Sequence, residues 1–68
     1  MTETTARRIV KRLYTLAEAA AYLGRSTWSV RRLIWNGDLP QVRAGGRVHV
    51  DVWDMDQFIE KAKIREDR

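Results

Sequence analysis

A single residue, Arg25, separates Gly24 from Ser26, and this junction constrains the fold more than any other feature of the chain. Glycine readily takes the left-handed conformation that ends a helix, and serine is among the best helix N-caps. The junction therefore predicts two helices joined by a very short turn, an angled pair.

The flanking residues fit that expectation. Thr15-Leu16-Ala17-Glu18 has the spacing of a capping box, in which the threonine hydroxyl accepts from an early helix amide and the glutamate reaches back. Leu16, Ala19, Ala20 and Leu23 then recur at helical spacing and form one apolar face. The second helix is expected from its Ser26 cap to about Asn36, with Gly37 as its stop. On it Val30, Leu33 and Ile34 share one face, while Trp28, Arg31, Arg32 and Trp35 project from the other. One face packs, and the other offers guanidinium and indole.

After Asp38-Leu39-Pro40 the pattern changes to short alternating segments around Gly45-Gly46, which signals a β-hairpin. A two-residue Gly45-Gly46 turn would set Val42 and Val48 on opposite faces, whereas a three-residue Ala44-Gly45-Gly46 loop pairs Val42 with Val48 and Arg43 with Arg47. The longer loop is expected, because it gathers Val42, Val48 and Val50 inward and leaves Gln41, Arg43, Arg47 and His49 outward. Asp51 is then the N-cap of a third helix with the apolar stripe Val52, Met55, Phe58, Ile59 and Ala62, and Asp54 in the first turn favours its dipole. The predicted fold is α+β, a small winged helix-turn-helix: two helices, a two-stranded β-hairpin wing and a C-terminal helix over residues 13–62. Residues 1–12 read as a flexible basic arm and residues 63–68 as a frayed tail.

Composition narrows the function. A chain of 68 residues holds one small core, so a deep substrate pocket is not expected, and the absence of cysteine excludes disulfides and thiolate metal sites. Net charge is +4, and its distribution says more than its sum. Residues 1–12 carry four basic and one acidic side chain, residues 13–47 five and two, and residues 48–68 four and six. The positive charge on the first two thirds points to a polyanionic partner. No apolar run approaches the roughly 20 residues needed to cross a bilayer, and no apolar stretch of about 7–15 residues follows the basic start as an export signal would require. A cytoplasmic protein without a membrane partner is expected.

Catalysis is not expected. His49 stands alone, and Asp51, Asp54 and Asp56 resemble paired carboxylates only until the first two are explained as cap and dipole residues. Gly45-Gly46 is a hairpin turn, too short to cradle a phosphate ahead of a helix. Neither metal nor cofactor is anticipated. Trp28, in the first turn of the second helix, is expected to contact DNA, whereas Trp35 is expected to pack under the wing.

Residues 13–60 resemble the excisionase-type, MerR-like winged helix-turn-helix domains of bacteria and their phages. The resemblance rests on Leu13-Tyr14-Thr15-Leu16-Ala17-Glu18-Ala19-Ala20, Tyr22-Leu23-Gly24, Arg32-Leu33-Ile34, Gly37-Asp38-Leu39-Pro40, Arg43 before the glycine turn, and Phe58-Ile59. It implies that the second helix enters the major groove with Ser26, Thr27, Trp28, Ser29, Arg31 and Arg32. It also implies that the wing, through Arg43, Gly45, Gly46, Arg47 and His49, lies along a minor groove or backbone. Arg25 stands where a valine is common and Arg31 where an aromatic is frequent, and both add charge near the DNA face. Arg7, Arg8, Lys11 and Arg12 of the arm complete the expected DNA-binding set.

The resulting expectation is sequence-specific binding of double-stranded DNA, as a recombination directionality factor (excisionase) or a small transcriptional regulator. Beyond DNA, the partners this reading allows for are a recombinase or a second protomer on DNA. A small-molecule effector is not expected, since the chain ends about ten residues after the resemblance. The competing readings are an adaptor that sets the Trp28/Trp35 face against an acidic protein and a nonspecific RNA or single-strand binder.

Overall fold

In the computed structural model, which describes residues 10–64, six elements follow one another: β1 (Leu13–Thr15), α1 (Leu16–Leu23), α2 (Thr27–Trp35), β2 (Val42–Ala44), β3 (Arg47–Asp51) and α3 (Val52–Ala62). The helix ends follow the local chemistry of the sequence. At the start of α1 the Thr15 hydroxyl accepts from the Glu18 amide at 3.1 Å, and the Glu18 carboxylate accepts from the Thr15 amide at 3.0 Å. At its end Gly24 sits at φ 71°, its amide donates to the Ala21 carbonyl, and the Arg25 amide donates to the Ala20 carbonyl at 2.9 Å. This pairing satisfies carbonyls that the helix leaves open. The Ser26 hydroxyl accepts from the Ser29 amide at 3.1 Å and opens α2. That helix ends as α1 does, with Gly37 at φ 83° and the Asp38 amide donating to the Leu33 carbonyl at 2.8 Å.

The core sits where α1, α2, α3 and β3 meet. Ala19, Ala20, Val30, Leu33, Leu39, Val50 and Met55 are buried, and Tyr14, Leu16, Leu23, Ile34, Val52 and Phe58 pack around them. The two alanines let α2 approach α1 closely. Leu39, which had no helical or strand period to announce it, is buried because its amide donates back to the Leu33 carbonyl and folds the loop under α2.

The sheet departs from expectation in two ways. It has three strands, in the antiparallel order β1-β3-β2, rather than the two of a hairpin. Leu13, Tyr14 and Thr15 pair with Asp51, Val50 and His49, so the residue that caps α1 is also the last residue of an edge strand. The hairpin register also differs: Val42 pairs with His49, Arg43 with Val48 and Ala44 with Arg47. The turn is therefore the two-residue Gly45-Gly46, with φ 61° and 77°. Positive φ at both central residues is the type I′ geometry, whose twist matches that of the flanking strands. It outweighs the gain from lining up Val42 with Val48.

Opposed residues of an antiparallel pair share a face, so this register reassigns the wing. Val48 and Val50 face the helices, with Arg43 opposite Val48. Val42, Ala44, Arg47 and His49 lie on the outer face, together with Thr15.

Candidate nucleic-acid interface

α2 carries the most concentrated exposed chemistry of the fold. Val30 and Leu33 are buried beneath it, while Trp28, Arg31, Arg32 and Trp35 remain exposed on the opposite side. No acidic side chain lies within Thr27–Trp35. Trp28 and Trp35 meet edge to face, with ring centroids 5.3 Å apart and planes at 86°, yet stay 58% and 66% exposed.

An open groove separates this helix from the wing. It is lined by Arg31, Ile34 and Trp35 from α2, by Gln41, Arg43 and Val48 from the wing side, and by Leu16 at the start of α1. The hairpin register decides this, since Arg43 reaches the groove only by sharing a face with Val48. Trp35 thus borders the wing, as expected, but it is not buried under it, because its ring leans on Trp28 instead. At the turn before α2, the Arg25 guanidinium lies 5.9 Å from the Phe58 ring centroid, a cation-π contact that ties the turn to α3.

The α1–α2 pair joined by the tight Gly24-Arg25-Ser26 turn, with a basic, acid-free second helix and an adjoining β-hairpin, is the arrangement of a DNA-binding helix-turn-helix. A family model described as a helix-turn-helix domain matches residues 13–63. The chain belongs to that helix-turn-helix family. Neither a curated protein nor a solved structure gives a significant match.

Helix-turn-helix domains bind DNA with the second helix in the major groove. In this helix-turn-helix domain the structure brings Ser26, Thr27, Trp28, Ser29, Arg31 and Arg32 together on one exposed or half-exposed segment, although the Ser26 hydroxyl is already engaged as the α2 cap. Gly45 and Gly46 form the exposed wing tip. Arg43 and Arg47, expected to face each other, lie on opposite faces of the hairpin.

His49 lies on the outer face, as expected, but it is half-buried between its cross-strand partners Thr15 and Val42, with Nδ1 enclosed and without a hydrogen-bond partner. The addition of β1 makes β3 the central strand and covers this side chain. Lys11 and Arg12, expected on a free arm, are instead tied to the domain. Lys11 forms an ion pair with Glu18 and lies 4.9 Å over the Tyr14 ring. Arg12 bonds Asp51, and its carbonyl accepts the Val52 amide at 2.8 Å. Arg7 and Arg8 lie outside the described residues.

These pairs set the local electrostatics. Hydrogen bonding to Arg12, followed by the Trp53 amide, holds the Asp51 carboxyl below its ordinary value, and the same bond raises the Arg12 guanidinium. The Lys11 side chain and the Thr15 amide lower Glu18. Tyr22 donates to Asp56 at 2.6 Å, which raises the phenol and links α1 to α3. Among the described residues, no group of three or more His, Cys, Asp or Glu side chains is placed to hold a metal ion, and no helix is long and apolar enough to cross a membrane. Arg31 across the groove from Arg43 is the juxtaposition that sequence reasoning missed. Its only signal was the alternative hairpin register.

Proposed function

We propose that this helix-turn-helix domain binds double-stranded DNA sequence-specifically, with α2 in the major groove and the β2–β3 wing on the backbone or in a neighbouring minor groove. The observation that carries this reading is the pairing of an acid-free, arginine- and tryptophan-bearing α2 with Arg43 across one groove. A rigid helix that buries Val30 and Leu33 holds the opposite face in place, which base reading requires. Arg43 and Arg47, from opposite faces of the hairpin, are suited to phosphates on either side of the wing tip. Arg25 serves as a further backbone contact, and Arg7 and Arg8 of the basic arm add charge.

The role is that of a non-enzymatic cytoplasmic DNA-binding protein, either a recombination directionality factor acting beside a recombinase or a small transcriptional regulator. Fluorescence anisotropy on a random-sequence duplex pool, followed by selection and titration at several salt concentrations, tests the reading. Binding should weaken steeply with salt, as counterion release demands, and selected duplexes should bind at least tenfold tighter than the pool. The exposed indole pair favours one second reading, an adaptor that receives an acidic protein on the same face. In that case the chain shows no preference among duplexes.

A further inference from the structure

Two indoles stand where a helix-turn-helix domain has its reading surface. Trp28 and Trp35 are seven residues apart, close to two helical turns, and each is more than half exposed. Their edge-to-face contact at 5.3 Å joins them into one ridge along α2. Apolar area of this kind, contiguous and exposed, marks a contact surface.

The surrounding charge selects the occupant. Arg31 and Arg32 lie between the two tryptophans in sequence, Arg43 stands across the groove, and α2 carries no acid. A polyanion satisfies these guanidinium groups. The ridge requires, in addition, an apolar group within that polyanion. Among the base edges of the major groove there is one, the C5-methyl of thymine.

We infer that the Trp28–Trp35 ridge reads thymine methyl groups in the major groove. This inference rests on the duplex-DNA reading above and deepens it. The site then combines thymines beneath the indoles with guanine or phosphate beneath Arg31 and Arg32. Guanine offers O6 and N7 to a guanidinium, so the two chemistries read different base pairs and together specify a mixed sequence.

Deoxyuridine provides the test, because it removes the methyl and keeps every hydrogen-bonding group of thymine. A preferred duplex is selected with the full chain, and each thymine is replaced in turn. Burial of one methyl corresponds to about fourfold in affinity, so one or more positions should weaken by about threefold to sixfold. In Trp28→Ala or Trp35→Ala, whichever ring covers that position, the thymine and uracil duplexes should bind alike. Both side chains are exposed, so the melting temperature of each variant should stay close to that of the parent. The uracil arm uses the unaltered protein and stands even if a variant folds poorly.

Selected duplexes that bind with no loss at any uracil position overturn the inference and leave DNA binding intact. Uracil discrimination that persists unchanged in both tryptophan variants also overturns it, since the methyl is then read elsewhere. Failure to bind any duplex at low salt overturns the DNA-binding reading itself.

Discussion

Arg12 grips Asp51 by both carboxylate oxygens: Nε lies 3.1 Å from each, and a terminal guanidinium nitrogen lies 2.9 Å from Oδ2. The same Oδ1 accepts the Trp53 amide at 2.9 Å. One carboxylate thus caps α3 and fastens the residue before β1 to the end of β3.

This relationship makes a prediction about acid. A carboxyl held below its ordinary value adds stability above the unfolded pKa of about 3.9 and loses it as pH falls through the folded value. The Asp51 shift is downward, caused first by Arg12 and then by the Trp53 amide. The melting temperature should therefore fall as pH drops below about 4, toward and through the lowered folded value. Asp51→Asn keeps a capping oxygen but no charge, so at pH 7 it should melt lower than the parent and show a smaller further drop in acid. Parallel melting curves against pH for the two proteins would contradict the assignment.

The core depends on few side chains. Met55 is fully buried, whereas Trp53, two residues earlier on α3, is 64% exposed. Met55→Ala should cost about 2–5 kcal/mol in urea unfolding, a large part of what a domain this small commands. Trp53→Ala should stay within about 0.5 kcal/mol.

The hairpin turn distinguishes the two registers. Both Gly45 and Gly46 sit at positive φ, and a Cβ at either position meets nothing within 4 Å, so backbone conformation alone sets the cost of substitution. Gly46→Val should destabilise by about 1–2 kcal/mol, since a branched residue resists the left-handed region. Gly45→Asn should be close to neutral, because asparagine is favoured at the first position of a type I′ turn. Thermal melts together with cross-strand nuclear Overhauser effects between Arg43 and Val48 would check both the cost and the register.

Register also separates the two wing arginines. Arg43 lines the groove with Arg31 and Trp35, while Arg47 pairs with Ala44 on the outer face. Arg43→Ala should weaken duplex binding and reduce the salt slope by about one. Arg47→Ala should have the smaller effect on affinity for a selected site. Loss confined to Arg47 in salt-dependent anisotropy would place DNA on the other side of the wing.

On α2, Arg31→Ala or Arg32→Ala should cost about 1–3 kcal/mol on the selected duplex and less on random DNA if the guanidinium reads a base. Equal losses on both substrates, measured side by side, would mark a phosphate contact instead. Neither change should unfold the domain, since both side chains lie opposite Val30 and Leu33.

What could be read from the chain was what neighbouring residues decide among themselves. Thr15 with Glu18, Ser26 with the Ser29 amide, and Asp51 with the Trp53 amide are contacts within three residues, so the starts of all three helices follow from local sequence. Gly24 and Gly37 end two of them for the same reason. The basic, acid-free face of α2 follows from helical periodicity alone.

The tertiary structure decided what those local rules leave open. Leu13–Thr15 is too short to announce itself as a strand, and it becomes one because the edge of β3 is free to pair with it. Gly45-Gly46 is compatible with two loops. The twist of the hairpin selected the shorter, which moved Arg43 into the groove across from Arg31 and Val42 to the outer face, against His49. A shift of one residue in strand register turns every side chain to the opposite face. Helix caps are set by bonds between near neighbours. Strand partners are chosen by residues distant in sequence, and so the composition of the groove could be known only once the chain had folded.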